Sequence, residues 1–200
     1  MSQARILSDK EYRKVLLHIS KKKHSSRNKA MLYMSHLAGL RCGEIASLSI
    51  SDVLNNEGKI KDEVFLRKEQ TKGNRGRTFL LPKKLQEELH YYLCDRFKLK
   101  DLKAVTMTDT SKALFFTQKN SQRGFSANTL SQWFKTIYSQ AGCDGVSSHS
   151  GRRYFCTKLF SEGVDAKITQ QLLGHRNIQT TFLYYQTTPE SLRKAVELMS

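Results

Sequence analysis

The sequence predicts a mainly α-helical domain carrying one small antiparallel β-hairpin (an α+β fold), and three observations lead there. Apolar residues recur at helical spacing behind capping signals along most of the chain. One stretch, residues 63–81, switches to short apolar runs around a polar, glycine-bearing tip. Two prolines and eleven glycines leave no sign of a low-complexity tail or long linker, so residues 1–200 read as a single domain.

Ser8 followed by Glu11 is a capping box opening a helix to about residue 20, with Tyr12, Val15, Leu16 and Ile19 on one face. The basic run 21–26 breaks the pattern and reads either as a phosphate-contacting loop or as a solvated one. A second helix is expected over about 27–38, with Met31, Leu32, Met34 and Leu37 mostly buried, and a short one over 43–48. Apolar segments 64–66 and 78–81 flank the tip 71–77 as a hairpin that Pro82 stops. Residues 83–97 form an amphipathic helix, 98–112 a polar surface loop and 113–117 a short strand. Ser126 caps a helix running to about 141 and closed by Gly142. Shorter helices are expected over 150–162, 166–173 and 178–186, and Thr188-Pro189-Glu190 starts a last one over 189–198.

The chain holds 34 Lys+Arg against 18 Asp+Glu, a formal charge of +16, which makes a polyanion the leading partner. Nucleic acid and an anionic membrane surface are the candidates. The longest apolar runs are about four residues, as at 113–116, where a spanning helix needs roughly 18. The first residues, MSQARILSDKEY, lack the apolar core of a secretory signal. The expectation is therefore a cytoplasmic protein facing nucleic acid, with no membrane partner. Cys42, Cys94, Cys143 and Cys156 form no C-x-x-C pair and suit neither zinc nor a disulfide frame, so they read as buried or half-buried free thiols.

Four features carry chemistry. Arg41 stands between two glycines at a helix junction, where most such arginines are exposed or pair with a carboxylate such as Glu44. Lys72 occupies the hairpin tip, ordinarily a solvated position. His149 and Arg152 form H-x-x-R at a helix start, where free backbone N–H groups and the positive helix end favour a phosphate. His175 follows the glycine that ends one helix, and Tyr184 lies nine positions later on the next.

Singly each is weak. In this order, with the surrounding GLRCGEI, TKGNRGR and LLGHRNIQTT, they resemble the active site of the tyrosine recombinase (phage integrase) family, over residues 8–184. The family pattern of Arg, hairpin Lys, His-x-x-Arg, His or Trp, and Tyr falls on Arg41, Lys72, His149, Arg152, His175 and Tyr184. The resemblance implies that Tyr184 attacks a DNA phosphate and forms a 3′-phosphotyrosine. A tyrosine phenol ordinarily ionises at about pH 10 and needs such activation. Arg41, Arg152 and His175 would hold the phosphate oxygens, Lys72 would protonate the leaving 5′ oxygen, and His149 would assist proton transfer at the tyrosine. The bond energy is kept for resealing, so no metal and no cofactor is implied. Arg75, Arg77, Arg153 and Arg176 are expected as further DNA contacts. Spacing selects Tyr184 over Tyr185, and a core stripe of Ile178, Phe182 and Tyr185 would leave Tyr184 on another face. Spacing likewise selects Arg152 over Arg153.

The chain departs from many family members at Gly151 and Arg153, where they carry leucine and a second histidine. Relatives typically carry an N-terminal core-binding domain, and only some seven residues precede the first helix here. The expectation is either a short recombinase similar to the fimbrial-switch invertases or an isolated catalytic domain. The partners implied are double-stranded DNA, a homo-oligomer (a tetramer on paired sites) and accessory DNA-bending proteins, in a nucleoid-associated setting. The last helix, with Leu192, Val196 and Leu198, packs either on its own domain or on a neighbouring subunit. A type IB topoisomerase-like activity and an inactive DNA-binding regulator are the alternative functions.

Overall fold

A computed structural model describes residues 5–117, 123–185, 192–193 and 196–197. Capping chemistry sets the first element. In α1 (Asp9–Ser20) the Ser8 hydroxyl accepts from Glu11 N–H and the Glu11 carboxylate accepts from Ser8 N–H, the expected capping box. Tyr12, Val15 and Ile19 are buried and Leu16 half-buried.

Helix α2 (Ser25–Leu37) is the centre of the molecule, packed against α1, α3 (Cys42–Ser47), α5 (Lys83–Phe97) and α8 (Ser150–Ser161). Met31, Leu32 and Met34 are buried, but so are Arg27, Asn28, Ser35 and His36, so α2 is covered nearly all round. Arg27 satisfies its guanidinium on Asn28 Oδ1 and the Phe116 carbonyl.

After the short α4 (Ile50–Val53), β1 (Glu63–Leu66) and β2 (Arg77–Leu80) pair antiparallel, Glu63 opposite Leu80 and Leu66 opposite Arg77. Val64, Leu66 and Phe79 face the core, and a 3-10 turn at Lys68–Gln70 folds the connection back on itself. Helix α5 matches its expected bounds. Residues 98–112 are more ordered than a polar loop. They hold a 3-10 turn at Leu102–Ala104, whose Leu102 is buried, and the short α6 (Met107–Thr110). The strand expected over 113–117 is not formed; only the isolated bridges Ser49–Ala113 and Phe116–Gly124 occur there. Leu114 and Phe115 are buried all the same, which explains the apolar pattern that suggested a strand.

Helices α7 (Ala127–Gln140), α8 and α9 (Ala166–Leu173) follow the expected order, with the Ser126 hydroxyl capping α7. Helix α10 (Ile178–Phe182) ends four residues before its expected limit, in a turn. Its buried position is Thr181, while Phe182 and Tyr185 are exposed, so the core stripe of Ile178, Phe182 and Tyr185 is not formed. The last helix expected over 189–198 lies outside the described residues except at 192–193 and 196–197. All four cysteines are free, Cys143 and Cys156 buried, Cys42 and Cys94 half-buried. Among the described residues no helix is long and apolar enough to cross a membrane, and no group of His, Cys, Asp or Glu is placed to hold a metal.

Candidate active site

The two arms of one cleft come from distant parts of the chain. The hairpin connection supplies the first. Gln70 is buried, and its amide donates to Asp52 Oδ2 (3.0 Å) and to the Ser47 carbonyl, pinning the connection onto α3 and α4. Asp52 also takes Arg67 Nη1 at 2.9 Å. Beyond this anchor the Thr71 hydroxyl accepts from Arg75 N–H (3.1 Å) and donates to backbone carbonyls, so the tip closes on itself with Lys72 and Arg75 exposed. The second arm is the α9–α10 junction. Gly174 ends α9 with φ +62°, and a Cβ there would stand 2.3 Å from Arg77 Cδ, so the position demands glycine on both counts.

Between the arms lies a cleft of about 450 Å³ lined by Arg41, Glu44, Lys72, Arg75, Arg77, His175 and Arg176, among others. Five of these seven are lysine or arginine. At its floor Glu44, 1 % exposed, gives Oε1 to Arg41 Nη1 and Oε2 to Arg77 Nη2, both at 2.9 Å, and accepts from Arg41 N–H at 2.8 Å. Burial pushes the Glu44 carboxyl up, but Arg77 and the Arg41 N–H outweigh it and the net displacement is downward. A buried carboxylate thus holds two guanidinium groups in fixed positions.

Arg152 sits beneath, buried, donating Nη1 to the Gly39 carbonyl at 2.6 Å and Nη2 to the Leu173 carbonyl. The Leu173 carbonyl is at the C-terminal end of α9, where the helix dipole favours a cation, and the Gly39 carbonyl lies in the turn just past α2. Burial, and then Arg41, push its pKa down to about 9, which leaves it charged at neutral pH. His149, exposed at the start of α8, has its pKa lowered by partial burial and by the charges of Arg152, Arg41 and Lys72. For His175 burial leads, with Arg152, Arg41 and Arg77 adding to it, and the pKa falls to about 3, so the ring is neutral. Tyr184, half-buried, lies with its ring 5.9 Å from that of His175, and the Arg153 guanidinium is 5.3 Å from its centroid.

The six positions singled out by sequence pattern therefore converge, as do Arg75 and Arg176. Arg77 and Arg153, also expected as DNA contacts, are engaged within the protein. Arg77 is turned inward onto Glu44 and the Leu172 carbonyl (3.1 Å), and Arg153 is buried against Tyr184. Strand alternation carries the missed signal for Arg77: it shares a face with the buried Phe79. The anchoring of the tip by Gln70 and Asp52 had no comparable signal, since it acts across a tertiary contact.

Residues 5–191 match the model of the phage integrase family. The chain belongs to that family. This phage integrase family member is 30 % identical over 192 residues to the tyrosine recombinase XerA of Pyrococcus furiosus, covering 96 % of this chain and 60 % of the relative. It is 33 % identical over 172 residues to XerA of Pyrococcus horikoshii (86 % and 54 %), and 30 % identical over 175 residues to XerD of Agrobacterium fabrum (84 % and 51 %). The chain thus spans roughly half to three fifths of these relatives. Among solved structures, XerA recombinase superposes with a TM-score of 0.75 at 24 % identity, over all of this chain and 66 % of that one. The Tn1549 transposon integrase in complex with transposon right end DNA gives 0.71 at 19 % (98 % and 66 %). XerH bound to its difH substrate gives 0.69 at 21 % (98 % and 54 %). These likenesses establish the fold as that of tyrosine recombinase catalytic domains.

Proposed function

We propose that this chain is the catalytic domain of a site-specific DNA recombinase that cleaves and rejoins strands through a 3′-phosphotyrosine on Tyr184, without metal or nucleotide. One observation carries the reading: Arg41, Lys72 and His175 line one cleft, with Arg152 buried beneath it and the Tyr184 ring beside His175. The positive floor suits a phosphodiester. Guanidinium groups fixed by Glu44 and by backbone carbonyls need no reorganisation as charge builds on the phosphate oxygens, and such contacts strengthen in the transition state. In this reading Lys72, on an exposed tip, approaches the leaving 5′ oxygen as DNA docks, and His149, in the field of Arg152, Arg41 and Lys72, assists proton transfer at the phenol.

Two similar solved recombinases are held with DNA, one with transposon right end DNA and one with its difH substrate, which favours double-stranded DNA as the substrate here. A homo-oligomer on paired sites, with accessory DNA-bending proteins and the last helix docked on a neighbouring subunit, completes the proposal.

The test is covalent trapping. Nicked duplexes tiled across the DNA flanking the gene are incubated with the protein and denatured in detergent. A protein–DNA band lost in Tyr184→Phe and kept in Tyr185→Phe is the expected result. A band that survives Tyr184→Phe would overturn the assignment of the nucleophile. DNA binding without a band in any duplex would favour a regulator.

A further inference from the structure

The His175 ring has one nitrogen inside the protein and one left for the cleft. Its Nδ1 lies 2.9 Å from the hydroxyl of Thr181, and the ring lines the basic cleft, so Nε2 is the atom available to a ligand there. Because the ring is neutral it carries a single N–H, and its value to a phosphate depends on which nitrogen holds it. An Nε2–H donates to a phosphate oxygen; a bare Nε2 lone pair repels one.

Thr181 is fully buried, and among the described residues its hydroxyl bonds only His175 Nδ1. If Nδ1 carried the proton and donated, the hydroxyl hydrogen would be left without an acceptor in the protein interior, an arrangement that buried polar groups avoid. If the hydroxyl donates, Nδ1 is the acceptor, both groups are satisfied, and the ring proton stands on Nε2. The ring is also held in place: His175 N–H donates to the Gln170 carbonyl, and the Gln170 side-chain amide donates to the His175 carbonyl at 3.0 Å. The main chain carrying the ring is thus held at both its N–H and its carbonyl, and the hydrogen bond to the ring itself comes from Thr181.

We propose that Thr181 is a positioning residue whose hydroxyl donates to His175 Nδ1 and so selects the tautomer that presents Nε2–H to the scissile phosphate. The catalytic part rests on the recombinase reading of the cleft; the tautomer does not. Neighbouring Thr180 does not substitute, since the contact belongs to Thr181 alone.

The experiment is long-range ¹H–¹⁵N NMR of the imidazoles in the intact chain, with the His175 signals assigned by their loss in His175→Gln. The wild type should show the Nε2–H form, Thr181→Ser should keep it, and Thr181→Val should shift it toward Nδ1–H. In parallel, Thr181→Val should lower the covalent cleavage rate at saturating nicked DNA roughly tenfold or more with DNA affinity unchanged, and Thr181→Ser should recover it. An Nδ1–H wild type, or a Thr181→Val variant that retains Nε2–H, overturns the proposal. Should Thr181→Val not fold, the wild-type and Thr181→Ser spectra still decide it. A tautomer that follows Thr181 in a chain that never traps DNA would uphold the assignment while refuting the recombinase reading.

Discussion

Arg77 Nη2 lies 2.9 Å from Oε2 of Glu44, whose other oxygen is 2.9 Å from Arg41 Nη1. A buried carboxylate between two guanidinium groups is costly to disrupt, because losing one partner leaves the charge only partly compensated. Arg77→Met is therefore expected to lower stability by about 3 kcal/mol. It should leave the salt dependence of DNA binding unchanged. Arg75→Met, at the exposed tip, should do the reverse: no loss of stability, and a salt slope reduced by about one unit. Denaturant titration and binding isotherms at several salt concentrations separate the two. A reduced slope in Arg77→Met would restore Arg77 to the DNA-contacting set.

Arg153 stands where many relatives carry histidine, and its guanidinium lies over the Tyr184 ring at 5.3 Å. A cation on an aromatic face contributes about 1 kcal/mol when partly desolvated. Arg153→Met should slow covalent cleavage at saturating DNA by roughly fivefold, the equivalent of that energy, without changing the affinity. Weaker binding with an unchanged single-turnover rate would show a phosphate contact instead of a hold on the tyrosine.

Much of this site is legible in the sequence because each catalytic position is marked locally. Arg41 sits at a helix start with Glu44 three residues on, and Gly174 ends α9 just before His175. These are backbone requirements, and a sequence states them directly. The direction of a basic side chain is less legible. Arg75 and Arg77 look alike as residues in a basic tip, yet one is exposed and the other half-buried and turned onto Glu44. Only strand alternation distinguishes them, and it requires knowing where the strand begins. The faces of α10 are hard to read from sequence for a related reason. A five-residue helix is too short for an i, i+4, i+7 stripe, and the contact to His175, not apolar periodicity, decides that Thr181 is inside.

Gly151 departs from many relatives as well, and the close approach of α8 to α2 accounts for it. A Cβ at Gly151 would stand 2.2 Å from Ser35 Oγ and 2.7 Å from His36 Nδ1. Neither neighbour can retreat easily, since both are buried on the central helix. Gly151→Ala should cost about 1–3 kcal/mol of stability through overpacking. It should also slow cleavage, because Arg152 is the next residue and its two carbonyl contacts depend on where α8 sits. A melting temperature and cleavage rate equal to wild type would show that the two helices can part without disturbing the site.

His36 offers a pH test of the same core. Its ring is buried between Tyr12, stacked at 4.8 Å, and Tyr154 and Tyr138 at 5.4 and 6.2 Å, with Nδ1 on the Leu32 carbonyl at 3.0 Å. No carboxylate faces it among these neighbours, and burial pushes its pKa down from 6.5 to about 4. The unfolded chain therefore takes up a proton at this histidine below pH 6.5 while the folded chain does not, so stability is fully present above that pH and is lost as the pH falls toward 4. The loss from this one residue amounts to about 3 kcal/mol at pH 4. His175, lowered to about 3, acts in the same direction over an overlapping range. His36→Phe keeps an aromatic ring against the tyrosines and removes the titration. Unfolding free energies at pH 7, 5.5 and 4.5 should fall less steeply in His36→Phe than in the wild type, with carboxylate effects common to both chains cancelling in the difference. Parallel curves for the two proteins would mean that the folded chain protonates His36 as readily as the unfolded one, and the ring would then have to reach water by a local opening of the α2–α8 contact.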